Sequence, residues 1–396
     1  MRIALVSMHT SPAAVPGRGD AGGMNVVVAQ AARALARAGH EVVVFTRASA
    51  AQPAGEVALG DGAILRALAA GDPAAGKAEL PGIVPEFAAA LAGHGPFDAV
   101  HAHYWLSGIA ALPLAARSGL TPALTLHTVA AQKNGRLAPG DAPEPALRLA
   151  GERALARRTQ LIACSASERA AIVEGYGAPA LPIPVVMPGV DTELFAPRAA
   201  ADAPPLRITV LGRVQPLKGQ DLAVAAAAAL ARVDPALWAR CELVVAGEPT
   251  PGAEGYAAQL RAAAARAGIA DRVRFLPAQD RAAAASLLAG SALVLVPSHS
   301  ETFGLVALEA AAAGVPAVVA AHTGLLEASP PGAAGARVAG RDPEEWASAI
   351  GELLRDPARR AQLGREARAH ALTHNWDAHA AQLTAAYSAL RAPQAA

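Results

Sequence analysis

The sequence contains few aromatic residues, few cysteines and no long uninterrupted apolar segment. Aromatic residues make up 4% of the 396 residues although 53% are hydrophobic, so small aliphatic side chains must fill the core. The two cysteines, Cys164 and Cys241, stand far apart outside any CxxC pattern, which argues against a disulfide scaffold or a zinc site. A formal net charge of +1 gives no reason to expect a nucleic-acid partner.

Apolar segments are too short or too interrupted to cross a membrane. The run over Leu305–Ala321 is broken by Glu309, Gly314 and Pro316. The apolar stretch at the N-terminus is too short for a signal peptide. We therefore expect a cytoplasmic protein with reduced cysteines and without a membrane partner.

Short apolar runs alternate with helical stretches in both halves of the chain, which predicts parallel sheets covered by helices on both faces. Residues 1–195 form one predicted domain and residues 206–376 a second, joined by an Ala- and Pro-rich linker at 196–205. A C-terminal segment, about 377–396, is expected to pack back on the first domain through a helix near 377–390. In such sheets, ligands bind outside the carboxyl ends of the strands, so a cleft between the two domains is the expected site.

The predicted strands of the first half are Ile3–Ser7, Glu41–Thr46, Ala99–Ala102, Ala123–Leu126, Leu161–Ser165 and Pro184–Met187. Those of the second half are Arg207–Leu211, Cys241–Ala246, Val273–Leu276, Ala292–Pro297 and Ala317–Ala320. A helix over Met24–Ala38 ends at Gly39. The stretch Gly60–Pro85 is the least predictable.

The segment Ser298–Glu309 places two carboxylates around Gly304, where a strand gives way to a helix predicted to run to Ala313. Free amides at a helix start form an anion site when glycine allows close approach. A carboxylate cannot bind that anion, but it accepts hydrogen bonds from sugar hydroxyls. Glu301 and Glu309 therefore indicate a site for a sugar joined to a phosphate. Two ordinary solvated glutamates remain the alternative on spacing alone.

Two cations in the loop Gly212–Gly219 are candidates for a diphosphate site. Arg213 and Lys218 follow a predicted strand and precede a helix. A bidentate guanidinium and an ammonium match the two charges of a diphosphate. Two solvated surface charges are the alternative.

A second anion-binding loop is predicted before the first helix, at Gly19–Asn25. Adjacent glycines let the backbone close around an anion, and the helix dipole favours it. The loop lacks the GxGxxG pattern and its acidic partner, so a nicotinamide site is not expected. A plain flexible loop is the alternative.

Histidines follow two predicted strands of the first half. His101 and His103 would share one face of a strand, but no third metal ligand is near, so a buried hydrogen-bonded histidine is favoured over a metal site. Tyr104, at the strand end, is the better functional candidate. His127 and Thr128 are predicted to face the cleft, although a core histidine fits His127 equally well.

Taken together, these segments resemble the donor site of retaining GT-B glycosyltransferases of family four. The resemblance rests on Arg213 and Lys218 with Glu301 and Glu309, which are separated by seven residues. It narrows to the branch that acts on inositol 3-phosphate in mycothiol biosynthesis through signatures in the first half, and it runs from residue 1 to about residue 385. Those signatures are His9–Pro12, Gly19–Asn25, His103–Gly108, His127–Ala131 and Gly140–Pro145.

The resemblance implies two Rossmann-like domains in a GT-B arrangement and one reaction. N-acetylglucosamine would pass from UDP-N-acetylglucosamine to 1D-myo-inositol 3-phosphate with retention at the anomeric carbon. The implied partners are a UDP-sugar donor and an inositol-phosphate acceptor, with no cofactor required. A homodimer is expected from the resemblance only.

The resemblance also implies which residues serve each substrate. The donor-binding set is Pro16, Gly23, Arg213, Lys218, Leu276, Glu301, Phe303, Gly304 and Glu309, and catalysis would rest on Glu301, Arg213, Lys218 and His127. The acceptor-binding set is His9, Asp20, Ala21, Gly22, Gly23, Met24, Asn25, Lys77, Tyr104, Thr128 and Arg148. Within these sets, Arg213 and Lys218 match the diphosphate, Glu301 the sugar hydroxyls and Glu309 the ribose. Lys77, Tyr104, Thr128 and Arg148 match the acceptor phosphate, although Lys77 and Arg148 taken alone would be assigned to solvent.

Two departures from the family pattern bear on these expectations. Val15 stands where the family commonly has glutamine, which removes one polar contact on the donor side. The region Leu287–Ser291 lacks a tyrosine and an arginine that the family often has, which argues against a structural magnesium there.

Three other functions fit parts of the sequence. The first is a family-four transferase with another nucleotide sugar or acceptor, similar to sucrose-phosphate synthases or phosphatidylinositol mannosyltransferases. A lipid acceptor is disfavoured because the first helix carries only Arg33 and Arg37 as basic residues. The second is a sugar-nucleotide 2-epimerase, which would leave the phosphate-binding set without a purpose. The third is a non-catalytic sugar-nucleotide binder.

Overall fold

Two mainly parallel sheets with flanking helices form the structure, a computed structural model that describes residues 1–179, 181–198, 204–332 and 335–391. The strands are β1 (Arg2–Val6), β2 (Glu41–Arg47), β3 (Gly55–Gly60), β4 (Ala63–Leu68), β5 (Ala99–His103), β6 (Ala123–Thr125), β7 (Gln160–Leu161), β8 (Leu206–Leu211), β9 (Cys241–Ala246), β10 (Val273–Leu276), β11 (Leu293–Val296), β12 (Ala317–Ala320) and β13 (Ala336–Val338). The helices are α1 (Gly23–Arg37), α2 (Leu80–Ala92), α3 (Trp105–Arg117), α4 (Ala130–Asn134), α5 (Ala146–Leu155), α6 (Ala166–Tyr176), α7 (Gln220–Val233), α8 (Pro235–Trp238), α9 (Glu254–Arg266), α10 (Arg281–Ala289), α11 (Leu305–Ala312), α12 (Leu325–Ala328), α13 (Pro343–Arg355), α14 (Pro357–Leu372) and α15 (Trp376–Arg391).

The first sheet has the order β3-β4-β2-β1-β5-β6-β7 and the second β10-β9-β8-β11-β12-β13. Every pair is parallel except β3 with β4. Central strands such as β9 and β11 are buried along their whole length, as strands covered on both faces must be. The predicted architecture of two Rossmann-like domains is confirmed.

Several predicted elements differ from the structure. Only one bridge, between Ala163 and Val185, forms where a strand was predicted over Pro184–Met187, and β7 ends at Leu161 instead of continuing to Ser165. The β3–β4 hairpin was not predicted. Its turn is Asp61–Gly62, both with positive φ, which is the backbone of a two-residue hairpin turn.

The last helix, α15, packs against the first domain. Trp376 and Tyr387 of α15 are buried in one apolar cluster with residues of β1 and α1. The Tyr387 hydroxyl lies 2.7 Å from His101 Nδ1 on β5. Residues 199–203 of the predicted linker and 392–396 at the C-terminus lie outside the described residues.

Within the part of the chain that the structure describes, no helix is both long and apolar enough to span a bilayer.

Candidate functional site

A cleft with a cavity volume of about 410 Å³ opens at the carboxyl ends of the central strands of both sheets. The segments after β1, β5 and β6 supply His9, Tyr104 and His127. In the second domain, Arg213 and Lys218 follow β8 and Glu301 follows β11, while Glu309 lies within α11. The predicted site residues that line the cleft are His9, Pro16, Asp20, Gly22, Gly23, Met24, Asn25, Lys77, Tyr104, His127, Thr128, Arg148, Arg213, Lys218, Glu301, Phe303, Gly304 and Glu309.

Two predicted residues do not line the cleft. Ala21 is buried beneath its loop, and Leu276 packs in a small apolar cluster with Val244, Ala246 and Leu287.

The predicted sugar carboxylate, Glu301, is held by two hydrogen-bond donors. Its Oε1 accepts from Lys218 Nζ at 2.7 Å and from Ser298 Oγ at 2.8 Å. Its own backbone N–H donates to Thr323 Oγ1 at 3.1 Å. These contacts fix the carboxylate beside the ammonium, so a sugar hydroxyl and a diphosphate could be bound side by side.

Gly304 precedes α11 in a conformation that glycine alone tolerates well. Its φ is +109°, and a Cβ there would lie 2.6 Å from Leu325 Cδ2. The chain therefore turns from β11 into α11 without a side chain in the way. The first amides of α11 are left at the cleft wall, where the helix dipole favours an anion.

The second predicted carboxylate, Glu309, is paired with an arginine that the sequence did not single out. Glu309 Oε1 contacts Arg281 Nη1, at the start of α10. Both side chains line the cleft. The pair places one carboxylate oxygen and one guanidinium within reach of a nucleotide.

The glycine-rich loop of the first domain touches the cation loop of the second. A Cβ on Gly22 would lie 3.3 Å from Arg213 Nε, and one on Gly23 would lie 3.2 Å from Leu305 Cδ1. Asp20 in the same loop is 3.6 Å from Arg213 and 3.5 Å from Lys77. The loop thus brings cations of both domains around one carboxylate.

Asn25 stabilises this loop from within. Its Oδ1 accepts from Gly22 N at 2.8 Å, while its Nδ2 donates to Thr10 Oγ1 and to Ser11 O. The side chain is buried and holds the shape of the loop, and a direct contact with the acceptor stays a prediction.

Further contacts join the two domains next to Glu301. Ser165 Oγ donates to Thr302 O at 2.6 Å, and Thr302 Oγ1 donates to His127 O. The Glu327 carboxylate accepts from Ala166 N and Ser167 N at the start of α6. The predicted sugar site therefore depends on how the domains meet.

Arg148 is the most buried cation of the first-domain half of the cleft. Its Nε donates to Glu152 Oε1 at 2.6 Å, its Nη1 lies 2.9 Å from Glu144 Oε2 and its Nη2 donates to Thr128 O at 2.6 Å. Burial alone would lower the pKa of Arg148, but the adjacent carboxylates outweigh it and the pKa is raised. These contacts use three of the five N–H groups of the guanidinium.

Tyr104 lies between Arg148 and His9. The Arg148 guanidinium carbon is 4.7 Å from the centre of the Tyr104 ring, and the His9 ring is 4.2 Å from it on centroids. Tyr104 has a φ of +77°, a strained value for a non-glycine residue that often marks functional sites. Burial raises the pKa of Tyr104, so its hydroxyl stays protonated and can donate a hydrogen bond to an anion.

His127 is a neutral, hydrogen-bonded histidine. Its Nε2 lies 2.8 Å from His103 Nδ1, and its Nδ1 lies 3.9 Å from Cys164 Sγ. Burial lowers the pKa of His127 to about 3. These contacts satisfy the ring as in a structural histidine, but His127 is half-buried and lines the cleft. A catalytic role for its ring stays a prediction.

Both ring nitrogens of His101 also form hydrogen bonds, Nδ1 with the Tyr387 hydroxyl and Nε2 with Thr125 Oγ1 at 3.0 Å. In the described residues, no group of three or more His, Cys, Asp or Glu side chains is arranged to hold a metal ion.

Two departures from the family pattern lie at Leu287–Ser291 and at Val15. In the first region, the Ser291 hydroxyl forms hydrogen bonds with Thr209 Oγ1 and with Leu287 O. Val15 is exposed and does not line the cleft.

Glu168, whose Oε2 accepts a hydrogen bond from Cys164 N, should make the stability of the fold depend on pH. Burial raises its pKa from 4.5 to about 7. Between these values the folded state binds more protons than the unfolded state, so the free energy of unfolding should fall as pH rises from 4.5 to 7, by about 3 kcal/mol. Replacing Glu168 by glutamine should stabilise the protein at pH 8 and change it much less at pH 5.

Urea unfolding at the two pH values measures this effect. Glu174→Gln, an exposed change on the same helix, is the matched control and should behave like the wild type. An equal shift at pH 5 and pH 8 in the Glu168 variant would contradict the assignment.

Lys133 and Glu144 line the cleft although no sequence argument placed them there. Lys133 Nζ lies 2.6 Å from Glu144 Oε1, and Glu144 also contacts Arg148. One signal could have identified Lys133. The chain has only three lysines among 34 basic residues, Lys77, Lys133 and Lys218, and all three line this cleft.

The chain is similar to a known protein family over most of its length. The family model described as "Family 4 Glycosyltransferase in conflict systems" matches residues 17–383. A D-inositol 3-phosphate glycosyltransferase of Frankia alni is 42% identical over 404 residues, which cover 98% of this chain and 99% of the relative. One of Salinispora tropica is 42% identical over 399 residues, covering 95% of this chain and 83% of the relative.

Solved structures show the same fold. A sucrose-phosphate synthase from Thermosynechococcus elongatus superposes with a TM-score of 0.88 at 28% identity, and the match covers 98% of both chains. Anabaena HepE, solved with UDP and glucose, superposes with a TM-score of 0.78 at 20% identity over 98% of this chain and 100% of that one.

Proposed function

The chain belongs to the family 4 glycosyltransferases, and on that premise we propose that it transfers N-acetylglucosamine from UDP-N-acetylglucosamine to 1D-myo-inositol 3-phosphate. The anomeric configuration is retained, and the reaction is the first step of mycothiol biosynthesis. The names of the relatives that are 42% identical over nearly the whole chain support this acceptor.

One observation carries the proposal: a single cleft has an anion-binding set on each side. Arg213 and Lys218 lie on the second domain, whereas Lys77, Arg148 and the Tyr104 hydroxyl lie on the first. A reaction that transfers a sugar from a nucleoside diphosphate to a phosphorylated acceptor needs two such sets facing each other.

The second-domain set suits the donor. Arg213 and Lys218 would bind the diphosphate, and Glu301 would accept hydrogen bonds from the sugar hydroxyls. Burial lowers the pKa of Arg213, and Asp20 and Glu301 partly oppose that shift. The guanidinium is charged at neutral pH. Solved relatives named with UDP or UDP-glucose bind a donor of the same class.

The mechanism that fits these groups is departure and attack on one face of the sugar. The bond from the anomeric carbon to the diphosphate oxygen breaks while the acceptor hydroxyl oxygen bonds to that carbon. The hydroxyl proton passes to the leaving diphosphate. Arg213 and Lys218 stabilise the charge that develops on the diphosphate. Glu301 is held by Lys218 and Ser298, which suits hydroxyl binding better than nucleophilic attack.

A second candidate is transfer of the donor sugar to a different phosphorylated acceptor, such as a hexose phosphate. The TM-score of 0.88 to a sucrose-phosphate synthase favours it over the isomerase and non-catalytic alternatives. Both candidates share the two-anion cleft and differ in the acceptor.

Release of UDP tests the proposal. The protein is incubated with UDP-N-acetylglucosamine or UDP-glucose, and with inositol 3-phosphate, inositol or a hexose phosphate. We expect rapid release only with UDP-N-acetylglucosamine and inositol 3-phosphate together. Release that ignores the acceptor, or that prefers the hexose phosphate, would contradict the proposed acceptor.

Replacing Lys77 by alanine should raise the acceptor KM by roughly tenfold and leave the donor KM nearly unchanged, because Lys77 supplies one charge-assisted contact to the acceptor phosphate. The side chain is 51% exposed and its ion pair with Asp20 is long, so the fold should tolerate the change. Steady-state kinetics in each substrate measure the effect.

Arg117→Ala, an exposed change at the end of α3 outside the cleft, is the control. If the Lys77 variant raised the KM for donor and acceptor equally, the assignment of Lys77 to the acceptor phosphate would be wrong.

We expect the enzyme to be a homodimer and to act in the cytoplasm. The two cysteines are free and buried, which suits a reducing compartment.

A further inference from the structure

The ion pair between Arg281 and Glu309 lies in the donor half of the cleft. The Glu309 side chain is 7% exposed and that of Arg281 is 24% exposed. A carboxylate this buried needs a partner charge to stay ionised at low cost. Within the described part of the chain, Arg281 is the cation in contact with it.

The geometry holds Glu309 in one orientation. Arg281 Nη1 contacts Glu309 Oε1, and the guanidinium carbon lies 4.6 Å from the centre of the Phe195 ring. Phe195 is fully buried, so the stacked guanidinium has a rigid support. Glu309 Oε2 accepts no hydrogen bond from any side chain or amide in the ranges that the structure describes.

We propose that Arg281 is a positioning residue that makes Glu309 selective for a ribonucleotide donor. The inference rests on the proposed function, because it takes Glu309 as the residue that binds the donor ribose. Arg281 engages Oε1 and leaves Oε2 for a ribose hydroxyl. A donor that lacks the hydroxyl would cover this cleft-facing oxygen without pairing it, and a site of this kind discriminates strongly.

The alternative is that Arg281 competes with the ribose for Glu309. Removal of Arg281 would then strengthen nucleotide binding. The two roles therefore predict changes of opposite sign.

Titration calorimetry with UDP and 2′-deoxy-UDP tests the inference without acceptor or sugar. We expect the wild type to bind UDP at least tenfold more tightly than 2′-deoxy-UDP. Arg281→Gln should weaken UDP binding about tenfold, affect 2′-deoxy-UDP little and bring the ratio of the two dissociation constants close to one. Arg281→Lys keeps the charge and should restore part of the ratio.

Arg261→Gln is the matched control. Arg261, in the second domain, also stacks on an aromatic ring, with its guanidinium carbon 4.5 Å from the centre of Phe275, but it does not line the cleft. This variant should keep the wild-type ratio.

Three results would overturn the inference. Arg281→Gln could bind UDP more tightly, or could lose affinity for both nucleotides equally and keep the ratio. A wild type that binds neither nucleotide would overturn the donor assignment as well. If the ratio of the two dissociation constants changed as expected but no transfer to inositol 3-phosphate occurred, only the assignment of the acceptor would be overturned.

Discussion

Replacing Lys218 by alanine should lower kcat by about 10²- to 10³-fold, because the leaving diphosphate loses a cation that acts most strongly as the bond breaks. The ammonium lies 2.7 Å from Glu301 Oε1, so the change also leaves this carboxylate without its cation. Both effects fall on the transition state more than on the bound donor. The donor KM should rise far less than kcat falls.

Steady-state kinetics and binding of UDP separate the two effects. Ser298→Ala removes the other side-chain donor to Glu301 and leaves Lys218 in place, so it should cost far less than the loss of Lys218. If Lys218→Ala and Ser298→Ala lowered kcat equally, Lys218 would act by orienting Glu301 and not by stabilising the diphosphate.

The arrangement of the sheets was predictable because buried parallel strands are short apolar runs in sequence. Strands β9, β10 and β12 begin and end at the predicted residues. The β3–β4 hairpin was missed because its first strand, β3, lies at the sheet edge, is largely exposed and lacks an apolar run. The Asp61–Gly62 dipeptide was the available signal for it.

The donor half of the site was easier to predict than its electrostatics. Glu301 and Glu309 lie close in sequence, on the connection before α11 and within α11, so their spacing suggested a shared site. Spacing alone still left two solvated glutamates as the alternative, and Arg213 and Lys218 in the same domain favoured the shared site. Their partners come from distant segments, and no local pattern indicates that Arg281 faces Glu309 or that Lys218 faces Glu301. Pairing across the fold depends on tertiary packing, which spacing does not encode.

The acceptor half shows the same limit. Lys77 and Arg148 were assigned by resemblance as equivalent phosphate-binding cations. The structure distinguishes them, since Lys77 is half exposed and Arg148 is enclosed by Glu144 and Glu152. Substitution of the two residues should therefore have different consequences for the fold.

Replacing Arg148 by alanine should lower the free energy of unfolding by about 3–5 kcal/mol, because it leaves a buried carboxylate without its cation. The Arg148 side chain is 4% exposed and that of Glu152 is 0% exposed. Glu152 also accepts from Ala130 N and from the Tyr176 hydroxyl, so its charge is fixed between α4 and α6. Urea unfolding of the purified variant measures the loss.

A paired substitution separates this structural cost from the loss of acceptor binding. Arg148→Met combined with Glu152→Gln removes both buried charges and should recover much of the stability, because breaking one side of a buried ion pair costs more than removing both. The double variant should still bind the acceptor poorly, since the cation is absent, while UDP binding stays close to that of the wild type. If acceptor binding returned with stability, Arg148 would support the fold without contacting the phosphate. If the double variant were no more stable than Arg148→Ala, the buried pair would not be the source of the loss.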